Sequence, residues 1–275
     1  MIIDGRNIAK DINLDTTQRV KQLEFQPLLV DIVVGDDPAS LSYVRIKEKK
    51  AREVGLAFEL HQLSATATTE EVIATVQEIS ARKELCGLII QLPLPAHLDS
   101  SAILNQIPSR VDVDLLNSKS SELFYAGQSA LVPPTAAAIL HILDSIPEDW
   151  SSKQFLVLGQ GELVGKPISY LLKQRGFKIA VADSGTEDMD ALIRSADCII
   201  SGAGQPNLIT AAQVKDGVII IDAGTSEAGG ALTGDVDFSS VEPKAKYITP
   251  VPGGVGPVTV AMLLANVVQV AEARS

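Results

Sequence analysis

Six short runs of this chain are nearly continuously apolar: PLLVDIVVG (27–35), CGLIIQL (86–92), QFLVLG (154–159), KIAVAD (178–183), DCIISGAG (197–204) and GVIIIDAG (217–224). They are rich in Val and Ile, as strands covered on both faces are. Longer amphipathic stretches lie between them, among them 68–82, 134–147 and 164–175. Strands alternating with helices imply βαβ units, parallel sheets and right-handed crossovers. The expected class is α/β.

A chain of 275 residues has room for two such units. The polar, turn-rich stretch NSKSSELFYAGQSALVPP ends in Pro133-Pro134 and marks the boundary. The expected division is 1–136 plus 257–275 for one unit and 137–256 for the other, with the last helix, about 257–272, packing back on the first. The formal net charge of -11 argues against nucleic acid as a partner. A local basic stretch, Arg45, Lys47, Lys49, Lys50 and Arg52, reads for the most part as a solvated helix face. Cys86 and Cys198 stand in no CxxC or Cys/His spacing, which fits a reducing compartment. Three histidines without metal-like spacing give no metal site. No signal peptide and no run of 18 apolar residues is read, so a cytoplasmic protein with no membrane partner is expected.

FLVLGQGELVGKPISYLL (155–172) reads as strand, tight turn and helix. Gly159, Gly161 and Gly165 let backbone approach a pyrophosphate, and the helix N-terminus attracts it. The usual spacing puts the third glycine at Val164, so the match is imperfect. Asp183 ends the next strand about twenty residues on, where a ribose 2′-hydroxyl is held. The alternative is a strand-ending Asp that caps its own turn with Ser184 and Gly185. Gly204 and Thr225 follow later strands and complete the expected cofactor set.

In GDDPASLSYVRIKEKKAREVGL (35–56), Asp37-Pro38 looks like a helix start. Tyr43 and Lys47 are then one turn apart on one face. Such a pair can orient a ring and move a proton if the lysine is partly desolvated. On the spacing alone, a surface Lys beside a core-edge Tyr is the commoner arrangement. In GLIIQLPLP (87–95), Gln91 ends a core strand, where open α/β sheets bind ligands, or it merely terminates the strand.

Taken in order, DGRNIAKDI (4–12), VVGDDPASLSYVRIKEKKAREVGL (33–56), GLIIQLPLP and ITPVPGGVGPVT (248–259) resemble the methylenetetrahydrofolate dehydrogenase/cyclohydrolase family over nearly the whole chain. The resemblance implies two α/β domains flanking a cleft, the second a Rossmann-like dinucleotide-binding domain with a mostly parallel sheet. It implies oxidation of 5,10-methylenetetrahydrofolate with a nicotinamide cofactor, then hydrolysis to 10-formyltetrahydrofolate. Lys47 becomes the lysine of the water step, held by Gln91, with Tyr43 against the folate rings. Asp114, in VDVDLL (111–116), becomes the carboxylate that grips the pterin amino group, and Pro93, Pro252, Gly253 and Gly254 border the substrate. A folate small molecule and a homodimer partner are also implied.

The chain departs from the family pattern at Val111 and Leu115, where the family has lysine and glycine. It carries Gln160-Gly161 in place of Arg-Ser, and Asp183-Ser184 in place of His-Ser. A lost cation and a gained anion favour NAD over NADP. The alternatives are a member with one activity and a non-catalytic folate- or nucleotide-binding homologue.

Overall fold

The computed structural model describes residues 1–228 and 231–274. The chain divides into two compact units. One comprises Asp11–Pro134 and the chain from Val260 on; the other comprises Met1–Lys10 and Thr135–Thr259.

The first unit holds most of α1 (Gly5–Val20), then β1 (Leu28–Val34), α2 (Pro38–Val54), β2 (Ala57–Leu63), α3 (Thr69–Ser80), β3 (Leu85–Ile90), α4 (Ser100–Leu104) and α5 (Ser118–Tyr125). Its parallel sheet has the order β2-β1-β3. Alternate residues of a strand face opposite ways. Accordingly Val30 and Ile32 of β1 join Val72 and Val76 of α3 in one core. Leu29 and Val33 join Val44 and Ala51 of α2 in another, closed by Leu264, Val267 and Val268 of the last helix, α10 (Val255–Glu272). By length and hydropathy α10 could cross a membrane. Its apolar residues fill this core instead.

The second unit contains α6 (Pro134–Ser145), β4 (Gln154–Leu158), α7 (Gly165–Gln174), β5 (Lys178–Ala182), α8 (Met189–Ser195), β6 (Cys198–Ser201), β7 (Ile219–Asp222), the antiparallel pair β8 (Ser226–Ala228) and β9 (Ala231–Thr233), α9 (Phe238–Val241) and β10 (Tyr247–Ile248). Its five-stranded parallel sheet runs β10-β7-β6-β4-β5. This is the Rossmann-like order expected, with β4 next to the point where the strand order reverses.

Three features differ from the expectations. The edge strand β2 alternates in burial, so a search for continuous apolar runs passes over it. The stretch read as a boundary contains α5, capped by Asn117 and buried at Ser120 and Phe124. The first ten residues belong with the second unit, because Ile2 bridges to Ile248 and Ile3 donates its N–H to the Ile248 carbonyl at 2.8 Å.

Gly87 in β3 fixes how closely this sheet and α10 approach. A Cβ there would lie 2.8 Å from both Leu29 Cδ1 and Val267 Cγ2. Gly87→Ala is expected to lower the unfolding free energy by about 1–3 kcal/mol, read as an earlier midpoint in urea with an unchanged slope.

Candidate active site

Helix α2 starts where the sequence indicates: Asp37 accepts the Ser40 N–H at 2.8 Å and Pro38 takes the first helical position. That start sets the register that turns position 47 inward. Lys47 is 2 % exposed, while Arg45, Lys49 and Arg52 of the same basic stretch are exposed. Most of the stretch is therefore the solvated face expected, and Lys47 is the exception.

A buried ammonium must be paired. Lys47 Nζ donates to Gln91 Oε1 at 2.8 Å. Gln91 Nε2 donates to the Leu92 carbonyl at 2.7 Å, so both ends of the amide are used and its oxygen is aimed at the lysine. Gln91 follows β3, and its N–H still pairs with the Ile32 carbonyl at 2.9 Å. In the order β2-β1-β3 the chain steps from β1 to β2 on one side and then crosses over β1 to β3 on the other, so the crevice beyond the ends of β1 and β3 is the switch point at which such sheets bind ligands. Gln91 stands at that point.

The second partner of Lys47 was not anticipated. Asp31, in the middle of β1, lies with Oδ2 2.5 Å from Nζ and has a fully buried side chain. The contact is an ion pair rather than an aligned hydrogen bond, and neither Asp31 oxygen receives one. Burial raises the Asp31 carboxyl above its ordinary range, against the attraction of Lys47. Its signal was present in PLLVDIVVG: a charge inside a run that is buried on both faces needs a partner.

Tyr43 lies one turn before Lys47, whose Nζ is 5.3 Å from its ring centroid. Burial, then the charges of Asp114 and Asp31, raise the Tyr43 phenol, which stays a neutral donor. Asp114 is pushed up to about 6 by burial, with Lys47 opposing and Asp112 and Asp31 reinforcing. Asp112 is structural: it accepts the N–H groups of Leu116 and Asn117 at 3.1 and 2.9 Å. Leu115 between them adopts φ 57°, a left-handed conformation that costs a branched residue about 1–2 kcal/mol and glycine little. Pro93 is exposed just beyond Gln91.

In the second unit the glycine turn leaves β4. Gly159 has φ 85°, and a Cβ on it would lie 2.6 Å from the Gly202 carbonyl oxygen. A Cβ on Gly165 would run into the Gly159 carbonyl. Both are demanded by backbone packing. Gly161 differs, since a Cβ there would meet nothing within 4 Å. A pocket is lined by Gly161, Val164, Gly204 and Thr225. Val164 precedes α7 without a side-chain cap; Lys166 donates its N–H to the Gly161 carbonyl at 3.1 Å and Pro167 has none, so the first turn leaves the Gly165 N–H for an anion. Gln160 Nε2 turns back to the Gly159 carbonyl at 2.9 Å.

Asp183 follows β5, exposed; its Oδ1 accepts the Gly185 N–H at 3.0 Å and the Thr186 hydroxyl at 3.3 Å. The turn-capping alternative thus describes Oδ1, and Oδ2 takes no hydrogen bond among the described residues. Ser184 is exposed beside it. Pro252 is exposed, whereas Gly253 and Gly254 are buried: a Cβ on Gly253 would lie 3.3 Å from the Arg6 guanidinium, and the Gly254 carbonyl abuts Gly5.

Two further buried carboxylates shape the pocket. Asp235 accepts from Ser201 Oγ at 2.6 Å, Ala203 N–H at 2.7 Å and Gln205 N–H at 2.8 Å, tying down the loop that carries Gly204. Asp222 accepts the Gly224 N–H at 2.9 Å next to Thr225. Among the described residues no group of three or more His, Cys, Asp and Glu side chains is placed to hold a metal.

Residues 3–114 match the family model for the tetrahydrofolate dehydrogenase/cyclohydrolase catalytic domain, and residues 133–275 match that family's NAD(P)-binding domain. The Bifunctional protein FolD of Halothermothrix orenii is 38% identical over 273 residues, 98% of this chain and 96% of that protein. The crystal structure of FolD, methylenetetrahydrofolate dehydrogenase/cyclohydrolase, from Campylobacter jejuni superposes with a TM-score of 0.95 at 34% identity, covering 100% of this chain and 99% of that one. The Trypanosoma brucei FolD, solved with NADP cofactor and inhibitor, gives 0.94 at 34% identity over 100% and 98%.

The raised Asp114 carboxyl fixes the sign of a pH effect. Between 3.8 and about 6 the folded state binds more protons at this group than the unfolded chain. Stability contributed here therefore falls as pH rises through that window. In denaturant titrations from pH 4 to 7, Asp114→Asn is expected to show a smaller decline than the unsubstituted chain; an identical decline would refute the assignment.

Proposed function

The chain belongs to the tetrahydrofolate dehydrogenase/cyclohydrolase family, and we propose that Lys47, Gln91 and Tyr43 carry its folate-side chemistry. The protein is an enzyme with two activities. It oxidises 5,10-methylenetetrahydrofolate to the methenyl form with a nicotinamide cofactor, then hydrolyses that product to 10-formyltetrahydrofolate. The observation that carries the residue assignment is the buried Lys47 ammonium 2.8 Å from an amide at a sheet switch point.

In the water step Lys47 acts in its unprotonated form: the free amine takes the proton of the water that adds to the methenyl carbon. Gln91 holds Nζ in place through its oriented oxygen. Tyr43, neutral and half-buried, lies against the folate ring and offers its hydroxyl. Asp114, ionised above about pH 6, accepts the paired N–H donors of the pterin. Pro93, just beyond Gln91, borders the substrate.

A bound nicotinamide supplies the hydride acceptor. The open space at Gly161, the Gly165 N–H at the start of α7 and the pocket beside Gly204 and Thr225 suit its dinucleotide. We read NAD as the preferred cofactor. Asp183 presents Oδ2 for a ribose 2′-hydroxyl and repels a 2′-phosphate, and the neutral Gln160 offers that phosphate no charge. A charge change of this kind is worth about 1–3 kcal/mol, or roughly tenfold to a hundredfold in cofactor preference. The acidic net charge of -11 supports a small-molecule substrate rather than nucleic acid. We further read the enzyme as a cytoplasmic homodimer.

Initial rates of methenyltetrahydrofolate formation with NAD and NADP in parallel test the cofactor reading. NAD is expected to give the higher kcat/KM, with Asp183→Ser narrowing the gap; rates with NADP equal to or above those with NAD would sink it. Lys47→Met is expected to slow hydrolysis of 5,10-methenyltetrahydrofolate by about a hundredfold or more, and an unchanged rate would dismiss Lys47 as its base.

A further inference from the structure

Asp31 lies outside every motif that points to folate chemistry, yet it makes the shortest contact of the lysine. On β1 it shares a face with Leu29 and Val33, the face packed against α2. Its side chain is 0 % exposed and that of Lys47 3 %. An apolar residue at this position would continue the core without the cost of burying a carboxylate.

We propose that Asp31 is a positioning residue for the water step, anchoring the Lys47 nitrogen from within the sheet and governing when it carries a proton; this rests on the role given to Lys47 above. An ammonium has three N–H groups. Gln91 Oε1 takes one and the Asp31 carboxylate holds the nitrogen by an ion pair at 2.5 Å, so the position left for the reacting water is the lone pair that the free amine carries. The nitrogen is thereby held at two points, which is what a general base needs.

The proton balance follows from the same contacts. Water oxygen bonds to the cationic methenyl carbon while the π pair of the C=N bond returns to nitrogen. The water proton passes to the Lys47 lone pair, and the ammonium so formed lies against the Asp31 carboxylate, which stabilises it. The carbinol adduct then collapses: its O–H loses a proton as the C=O forms, the C–N bond on the side of the released amine breaks, and that nitrogen keeps the bonding pair and takes a proton, so one net proton leaves to solvent water. The other ionisable groups facing Lys47 are Asp114, from the loop before α5, and Tyr43, on α2 itself. Asp31 is the anion in direct contact, so its removal shifts the balance toward free amine most.

The test is the pH–rate profile for hydrolysis of 5,10-methenyltetrahydrofolate by the full chain, with and without Asp31→Asn. The rising limb is expected to move to lower pH by about one unit or more in the variant. The plateau kcat is expected to fall about tenfold, with KM within about twofold, because the nitrogen loses an anchor and not a substrate contact. Asp31→Glu, which keeps the anion, is expected to retain the original limb. Thermal unfolding establishes that each variant is folded, and Asp31→Ser takes the place of Asp31→Asn if that chain does not fold. A limb that coincides with the original overturns the proposal. Lys47→Met separates the two readings. If it hydrolyses normally, the lysine assignment itself fails. If it is inactive while the Asp31→Asn limb stays in place, only the role of Asp31 fails.

Discussion

A lysine of α2 buried against the face of a three-stranded sheet is the constraint on which the rest of the first unit turns. Removing an ammonium from water costs several kcal/mol unless it is met by an anion and by further hydrogen bonds. Here Asp31 supplies the charge and Gln91 the oriented oxygen. Each depends on something more local. The Asp37 cap sets the register of α2, the alternation of β1 points Asp31 at that helix, and the Leu92 carbonyl turns the Gln91 amide. A buried pair of this kind is seldom retained for stability, since apolar residues of similar volume usually serve as well. Its presence in the sheet core is the ground of the positioning role proposed for Asp31.

The two units solve one topological problem with different materials. Both sheets are parallel and both reverse direction beside their central strand, between β1 and β3 and between β4 and β6. In the first unit the crevice is furnished by side chains, with Gln91 at its edge. In the second it is furnished by backbone: Gly159 and Gly202 pass too closely for any side chain, and Gly161 is left open. Buried carboxylates do the bracing in both. Asp112 ties the chain around Asp114, and Asp235 ties the loop around Gly204.

How much of this was legible depended on whether the signal was local. The apolar runs revealed β1, β3, β4, β6 and β7, whose residues are nearly all buried, and also β5, an edge strand of the same apolar composition whose Val181 is exposed. The edge strand β2 carries Glu59, His61 and Gln62 on a half-exposed surface, so it left no such run. The inward turn of Lys47, against the outward turn of its basic neighbours, was not readable from spacing; the resemblance to a family singled it out. Asp31 was overlooked for a physical reason. A single carboxylate among six apolar residues barely alters the pattern of a strand, although it changes the electrostatics of everything nearby. Leu115 was noted as a departure, but that its position requires left-handed backbone emerges only from the φ of 57°. The pairing of Ile2 with Ile248 joins residues almost a whole chain apart, and no local pattern announces it.

The core behind the lysine is discontinuous in the chain. Its sheet and α2 come from residues before Pro134, and its closing wall comes from α10, beyond the whole of the second unit. A chain made from its N-terminus therefore emerges with that face of the sheet uncovered, and Leu29, Val33 and Val44 wait while some 125 further residues are synthesised. The nucleotide unit has all its strands before α10 exists. Vectorial synthesis thus places cofactor-side assembly ahead of the lysine core, and leaves an apolar surface open for chaperones or for misassembly in the interval.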